Sequence, residues 1–591
     1  MAIRYRISDV RARYVVIFLA FSFIVLAGRI FSLQVISHAY YRQVSDENSM
    51  RMVPISAPRG VIKDRNGELL VANRPLYNIS YLPYKGEGEF ASKEYLADLI
   101  KTDPDIIEQK LDKPIRNRFD PIKLVKDVDF EAICKIEENS ERLPGVIYQL
   151  DVTRQYPLNN YGSHLFGYVG EISDAELKGR DPNVFKPGDI IGIGGIEEEY
   201  DNYLRGRDGV KYLEVSASGK ILGYSPHRQS IPPEIGSELI LNIDWQAQSV
   251  AESLLSSYSG GAVVAIDPSN GGVLVFVSQP NFDANAFAGF VTNELWSQVS
   301  NDPAHSLLNR ACVGTYPPGS IFKPITAGAA LETNSADVNS VFRPCYGAMR
   351  FGNREFRCWK PSGHGQQNMF GAIVHSCDIY FYQLGLATGF EAWSRYCIGS
   401  GFGQKTGIDF ASESRGVAPS TAYLNRKYGE KKWSKSTVIN LAIGQGEVLV
   451  TPLQMACFYA AIANGGTMYK PQIVSKIVNP GGEDYEMEPE VILRLPFSRA
   501  TLSFMVEALT AVVDGGTGTP AKIDDIAIAG KTGTAQNPHG LEHSWFCCFA
   551  PVENPRIAIA VLVENAGHGS THAAPIAREI LKSYLLEKEN I

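Results

Sequence analysis

Several things are missing from this 591-residue chain, and each absence excludes a class. It has no excess of positive charge: 56 Lys and Arg against 64 Asp and Glu leave a net charge of −8, so there is no broad electrostatic footprint for nucleic acid. It has no long low-complexity tract, which argues against wholesale disorder. No internal repeat is evident, which argues against a solenoid. Cysteine is sparse, odd in number (nine) and irregularly spaced, so the fold is not a dense disulfide framework. The glycine-rich Gly192-Ile193-Gly194-Gly195-Ile196-Glu197 lacks both GxGxxG spacing and a preceding strand. It reads as a turn opening a helix over Glu197–Leu204, not as a nucleotide loop.

What is present is globular: 45% hydrophobic, 20% charged, and long enough for two to four domains. Near the N-terminus Arg4, Arg6, Arg11 and Arg13 precede an apolar run from Tyr14 to Gly28, which resumes after Arg29. With Arg29 snorkelling, residues 14–36 reach the roughly 20 residues a membrane span needs. A cleaved signal peptide is a competing reading, for which Ala27-Gly28-Arg29 is a poor cut site, and a buried soluble helix is another. The arginines before the span place residues 1–13 in the cytoplasm by the positive-inside rule, and everything after about residue 37 outside.

Residues 37–235 are mixed and polar, and read as one non-catalytic domain. Arg59–Gly67 has the pattern strand, Asn-Gly turn, strand, and residues 93–143 carry charges at helical spacing. A break falls at Ser230–Gly236. Beyond it, residues 236–591 predict a hairpin (Gly261–Ile266 and Gly272–Val277), mostly helices over 320–460, strands at Ile526–Ala529, Ser544–Phe549 and Ile557–Val563, and a closing helix through Ile576, Ile580, Tyr584 and Leu585. That order predicts an α+β domain whose sheet joins both ends of the segment.

Three short segments carry the chemistry. Ser320-Ile321-Phe322-Lys323 sets a hydroxyl one helical turn before an amine; a serine needs an adjacent base to act as nucleophile, and a lysine serves as one when desolvated or placed beside another cation. Ser376-Cys377-Asp378 offers a hydroxyl and a carboxylate two positions apart. Lys531-Thr532-Gly533-Thr534, read as following the strand Ile526–Ala529, would present a cation and hydroxyls from a sheet edge, with Gly533 admitting a ligand strand.

In this order, S-x-x-K, S-x-D and K-T-G resemble the active-serine penicillin-recognising enzymes. The flanks Gly314–Ser320, Gly444-Gln445-Gly446, Val450–Ala456, Ala529–Gln536, Arg59–Gly67 and Gly192–Gly209 extend the resemblance to class B penicillin-binding proteins over nearly the whole chain. Asp378, where division-type enzymes have Asn, and the Ser37–Tyr84 stretch resemble the elongation-type branch, penicillin-binding protein 2. The resemblance implies a peptidoglycan D,D-transpeptidase in the cytoplasmic membrane, with its catalytic domain in the periplasm above a pedestal of residues 37–235. It implies stem peptides as substrates, β-lactams as inhibitors, a D-Ala-D-Ala carboxypeptidase side activity, and, with no glycosyltransferase module before the serine domain, a SEDS-type glycan polymerase and elongation-complex scaffold proteins as partners. It also implies roles. Ser320 is the nucleophile and Lys323 its base; Ser376 relays a proton and Lys531 keeps Lys323 less protonated. The N–H groups of Ser320 and Thr534 form the oxyanion hole, and Asp378, Thr532, Gly533 and Thr534 face the substrate. A β-lactam-hydrolysing or -sensing relative, a division-type transpeptidase and a catalytically silent scaffold are the rival readings.

Cys345, Cys358, His364 and Cys377 have the spacing C-x12-C-x5-H-x12-C, a complete ligand set for structural zinc, with Cys377 inside the middle motif. A Cys345–Cys358 disulfide and unrelated core thiols are the alternatives. His543 and His568 flank late strands and read first as surface or hydrogen-bonded histidines, with cleft lining as the alternative; Trp359 and Trp545 read as core packing at least as well as cleft lining, and Cys547-Cys548 as core on opposite faces of a strand.

Overall fold

The computed structural model describes residues 9–586 other than 43–49, 82–92, 112–120, 144, 159, 182–183, 216–220, 225–227, 289–290, 292, 431, 435 and 538–539. Arg4 and Arg6, and parts of the Ser37–Tyr84 stretch, lie outside the described residues. The N-terminal helix α1 (Asp9–Phe31) continues through a π-helical turn, Ser32–Ile36. Residues Val10–Ile36 make an apolar segment of 27 residues with none of it buried, about 40 Å long at 1.5 Å per residue. That length exceeds the roughly 30 Å of a bilayer core. Full exposure of so apolar a surface removes the buried-soluble-helix reading.

The chain forms two compact units that interleave in sequence. One comprises Met1–Pro58, Pro75–Val152 and Arg207–Glu234; the other comprises Arg59–Arg74, Thr153–Gly206 and Ile235–Ile591. The compact units do not follow the expected boundary at 235/236, since residues 59–74 and 153–206 pack with residues 235–591. Ile62 and Lys63 pair parallel with Leu239 and Ile240, and Glu252 accepts from the Gly162 N–H at 2.8 Å, which joins both segments to residues 235–591; a buried ion network joins the two segments to each other. Arg59 donates to Glu197 Oε2 (Nη2, 2.7 Å) and to Asp201 Oδ1 (Nη1, 2.8 Å), and Arg154 Nε donates to the other Glu197 oxygen at 2.5 Å. Buried charges survive only when paired in this way, and truncating one partner costs about 3–5 kcal/mol.

In the first unit a three-stranded antiparallel sheet has Gly209–Val215 between Met50–Ile55 and Ile221–Tyr224. Its helices are short and amphipathic. Phe130–Glu138, capped by Asp129 accepting from Ala132 N, turns Ala132, Ile133 and Ile136 inward to a small core with Ile79, Leu96, Ile107 and Leu124. In the second unit the Asn66-Gly67 turn is present as expected: Asp64 accepts from the amides of Asn66 and Glu68, Gly67 has φ +88°, and Ile62 pairs antiparallel with Val71.

The catalytic part of the second unit is built on helix α2 (Trp245–Leu255), strands β1 (Gly261–Ile266) and β2 (Val273–Gln279), helices α3 (Lys323–Glu332), α4 (Met369–Val374), α5 (Asp378–Thr388), α6 (Pro452–Ala463) and α7 (Arg499–Gly515), strands β3 (Ala529–Ala535), β4 (His543–Ala550) and β5 (Ile557–Val563), and helix α8 (Ala573–Leu585). The five strands form one antiparallel sheet in the order β2-β1-β5-β4-β3, so β3 is an edge. Side chains alternate between two cores. Val263, Ala265, Cys548 and Val561 pack with Ala247 and Ala251 of α2 and with Ile576 and Ile580 of α8. Ala262, Val264, Cys547 and Ala560 face the core that holds Phe458 and Tyr459 of α6. A sheet covered on both faces explains why β1, β5 and β2 from Val273 to Val277 are apolar, and Cys547 and Cys548 are core on opposite faces as expected.

Two expectations are corrected. The last motif is not preceded by a strand at Ile526–Ala529; it is the strand, running Ala529–Ala535. Glycines and alanines are poor strand formers, but pairing with Phe546, Cys547 and Trp545 and nearly complete burial override that weakness. Within the helical region, residues Ala348–Phe351 and Arg354–Arg357 form a short hairpin, hidden in sequence among charged residues.

Candidate active site and Cys/His cluster

Ser320 lies in a 3-10 turn, Gly319–Phe322, that runs into α3, with Pro324 in the first turn where its missing N–H costs nothing. Gly319 has φ +59°, and a Cβ there would stand 2.8 Å from the Thr534 carbonyl; its own N–H donates to Gly444 O at 2.8 Å. Only glycine lets the turn approach both β3 and the 444–446 turn. From Pro318 to Ala330 every residue is buried except Ser320, which is half-exposed.

The three motifs converge. Lys323, fully buried, donates to Ser376 O (2.8 Å), Ser376 Oγ (3.1 Å) and Asp378 Oδ1 (2.8 Å), with its ammonium 5.2 Å from the Phe381 ring centre. Lys531, also fully buried, donates to the same Ser376 Oγ (2.9 Å) and to Thr532 O (3.0 Å). One serine hydroxyl thus bridges two amines. Burial, and secondarily the charge of Lys323, hold Lys531 well below the ordinary lysine range, while Asp378 opposes the shift.

Other expected residues are placed differently. Asp378, expected to face substrate, uses both carboxylate oxygens internally: Oδ1 for Lys323 and Oδ2 for the Trp359 N–H at 3.0 Å. Gly533, expected to admit a ligand strand, instead admits the protein itself. A Cβ there would stand 3.0 Å from Ile321 Cγ2 and Trp545 Cβ and 3.1 Å from Pro318 O. Lys323 is bonded to the middle motif rather than to Ser320, whose hydroxyl has no partner among the described residues. On β3, Thr532 O meets Lys531 Nζ and Thr534 O meets Gln445 Nε2 (3.4 Å), so both carbonyls point away from β4. In an antiparallel strand a residue's N–H and C=O point the same way, so the Thr534 N–H is turned to the Ser320 side as well. Thr532 Oγ1 pairs with Thr517 Oγ1 at 2.7 Å.

Sequence reasoning did not assign Thr517, Gln445, Phe381 or the hydrogen bonds of Trp359. Gln445 had a signal in the Gly-Gln-Gly flank; the others had none. Trp545 is core, with Nε1 donating to Pro317 O. His543 is half-buried against Tyr316, and the His568 carbonyl accepts from Ser544 Oγ.

Cys345, Cys358, His364 and Cys377 do come together, their ligand atoms all within 4.8 Å of one another. His364 Nδ1 lies 3.7 Å from Cys345 Sγ and 3.5 Å from Cys358 Sγ. A tetrahedron with zinc–sulfur bonds of about 2.3 Å and zinc–nitrogen of about 2.0–2.1 Å has N···S edges of roughly 3.5 Å, so the donors fit that ion. All nine cysteines are free thiols, so the Cys345–Cys358 disulfide is absent. The Cys377 thiol donates to Cys358, drawing Cys358 down to about 5 and pushing Cys377 up.

A partly exposed serine one turn before a buried lysine, beside a second buried lysine on a sheet edge of an α+β domain, is the arrangement of an acyl-transferring serine enzyme. The penicillin-binding protein transpeptidase domain matches residues 261–582, and the penicillin-binding protein dimerisation domain matches residues 54–241. The chain belongs to the penicillin-binding protein transpeptidase family. It is 33% identical over 585 residues to the peptidoglycan D,D-transpeptidase MrdA of Acinetobacter baumannii, covering 96% of this chain and 86% of that one. It is 30% identical to MrdA of Escherichia coli K12, covering 96% and 92%. Among solved structures it is similar to penicillin-binding protein PBP2 of Helicobacter pylori in complex with MreC, at a TM-score of 0.80 and 28% identity, covering 91% of this chain and all of that one.

Proposed function

We propose that this chain is an elongation-type peptidoglycan D,D-transpeptidase that cross-links stem peptides through an acyl-enzyme on Ser320. The observation that carries the reading is the buried Lys323–Ser376–Lys531 hydrogen-bond chain, with Ser320 one turn before Lys323 on a segment that packs against β3. Ser320 Oγ attacks the carbonyl between the two terminal D-alanines of a donor stem peptide. Lys323 takes the proton, and the Ser376 hydroxyl links it to Lys531, so the two amines share one proton route toward the leaving amine. The N–H groups of Ser320 and Thr534 receive the oxyanion; losing one such donor costs about 3–4 kcal/mol of barrier. Thr532 and Thr534 bind the donor's carboxylate. D-alanine leaves, and the amine of a neighbouring stem, or water in a carboxypeptidase side reaction, releases the acyl group. Asp378 acts on Lys323 rather than on substrate. β-Lactams acylate the same serine.

The apolar N-terminal helix serves as a single-pass anchor, with the N-terminus in the cytoplasm and the catalytic domain in the periplasm of the inner membrane. Relatives of this chain are described with MreC and in a peptidoglycan synthase complex coordinating polymerisation and cross-linking. We extend these partners, a scaffold protein and a SEDS-type glycan polymerase, to this chain. Cys345, Cys358, His364 (through Nδ1) and Cys377 hold a structural zinc, which braces the middle motif through Cys377 and leaves no open position for hydrolysis. Elemental analysis should find one zinc per chain, and chelation should lower the unfolding temperature; a metal-free protein with a freely titratable Cys377 excludes the ion. Mass spectrometry after penicillin treatment should place the adduct on Ser320, and Ser320→Ala should abolish it. Full labelling of Ser320→Ala refutes the assignment.

A further inference from the structure

We infer that Trp359 is a positioning residue for acylation, clamping the middle motif around Lys323; the inference rests on the transpeptidase reading above. Trp359 follows Cys358 and touches the Ser376–Asp378 segment at two places. Its backbone N–H donates to Asp378 Oδ2 at 3.0 Å, and its indole N–H donates to the carbonyls of Ser376 and His375, each at 3.1 Å. The two groups it holds are the two that hold Lys323: the same Ser376 carbonyl accepts from Lys323 Nζ at 2.8 Å, and the other Asp378 oxygen does so at 2.8 Å.

The clamp acts on strained backbone. Ser376 has φ +54°, a left-handed conformation that a non-glycine residue keeps only when its surroundings enforce it. The Ser376 hydroxyl bridges Lys323 and Lys531 only while that peptide stays in place. Packing accounts for little of the residue's placement: Trp359 is 52% exposed, and its ring neighbour is His364, with 5.4 Å between ring centres. A large ring left half in solvent, with its one polar atom turned onto the carbonyl of a catalytic serine, is placed for its hydrogen bond. The hydrogen bond acts through Ser376 and Lys323, not on substrate, so its loss should slow the acylation step without weakening the preceding encounter.

The test uses the full-length, detergent-solubilised chain and a fluorescent penicillin in stopped flow, separating the acylation rate constant k2 from the pre-acylation dissociation constant K. Trp359→Phe removes the indole N–H, and replacement of Trp359 by β-(3-benzothienyl)alanine removes it while keeping ring size and shape. Both should lower k2 about tenfold, the effect of one hydrogen bond, with K changed less than twofold. If Trp359→Phe fails to fold, the benzothienyl variant decides alone. An unchanged k2 in the benzothienyl variant, or a raised K with k2 intact, overturns the inference and leaves the transpeptidase reading standing. A wild-type chain that penicillin does not acylate overturns both.

Discussion

Asp378→Asn replaces one oxygen with an NH2 group and removes one charge. In the structure Asp378 accepts two hydrogen bonds, from Lys323 Nζ at 2.8 Å and from Trp359 N at 3.0 Å. An asparagine can accept only one of them; its NH2 group must face a donor, either the ammonium or the amide. The Lys323 side chain is fully buried and that of Asp378 is 11% exposed, so the carboxylate is the anionic partner of a desolvated cation. Breaking such a pair from one side costs about 3–5 kcal/mol. Asp378 also opposes the depression of Lys531, so its removal drives the Lys531 ammonium further from the ordinary range. The expected result is a folded protein destabilised by about 3–5 kcal/mol in denaturant unfolding, with penicillin acylation slowed at least about a hundredfold if some 3 kcal/mol of that is lost at Lys323. Both quantities come from one preparation, by urea titration and by labelling kinetics. A variant within 1 kcal/mol of wild type that acylates within threefold of its rate would refute the reasoning, because Lys323 would then be held in place without its anion.

His164 is buried with Nε2 3.0 Å from the Pro280 carbonyl, and desolvation brings it down to about 4 from an ordinary 6.5. The unfolded chain therefore binds the extra proton first, and stability falls as pH drops from 6.5 toward 4, by about 2 kcal/mol at pH 5. His164→Gln should flatten that part of the stability–pH curve measured by urea unfolding; an unchanged slope would rule the histidine out. Gly319→Ala places a Cβ 2.8 Å from Thr534 O at φ +59°, and should cost about 1–2 kcal/mol of stability. It should also slow acylation by tenfold or more as β3 and the serine turn separate; wild-type labelling kinetics in this variant would contradict the close approach.

How much of this was legible in advance differs by residue. Ser320, Lys323, Ser376 and Lys531 could be found because the chemistry demands those residue types in that order, and the Cys/His set because ligand type and spacing are themselves a signal. Hydrophobic patterning placed β1 and β5 at their observed bounds and picked out four positions that α8 buries, Ile576, Ile580, Tyr584 and Leu585. It misplaced β3, whose small and polar residues carry no strand signal, and missed the hairpin at 348–357. It also gave no sign that the compact units interleave, because pairings such as Ile62 with Leu239 and Arg59 with Glu197 join residues 177 and 138 positions apart, and no local pattern encodes them.

The amino-acid sequence by itself determined the reactive groups, the apolar span and the alternation that makes a two-faced sheet, since these follow from side-chain chemistry and from periods of 2 and 3.6. Tertiary structure alone decided that burial lowers the basicity of Lys531, that both Asp378 oxygens and the Gly533 Cα meet other protein atoms, and that Trp359 reaches Ser376. Those outcomes depend on burial and on distances of about 3 Å between segments far apart in the chain, and hydrogen bonding and desolvation act only at that range.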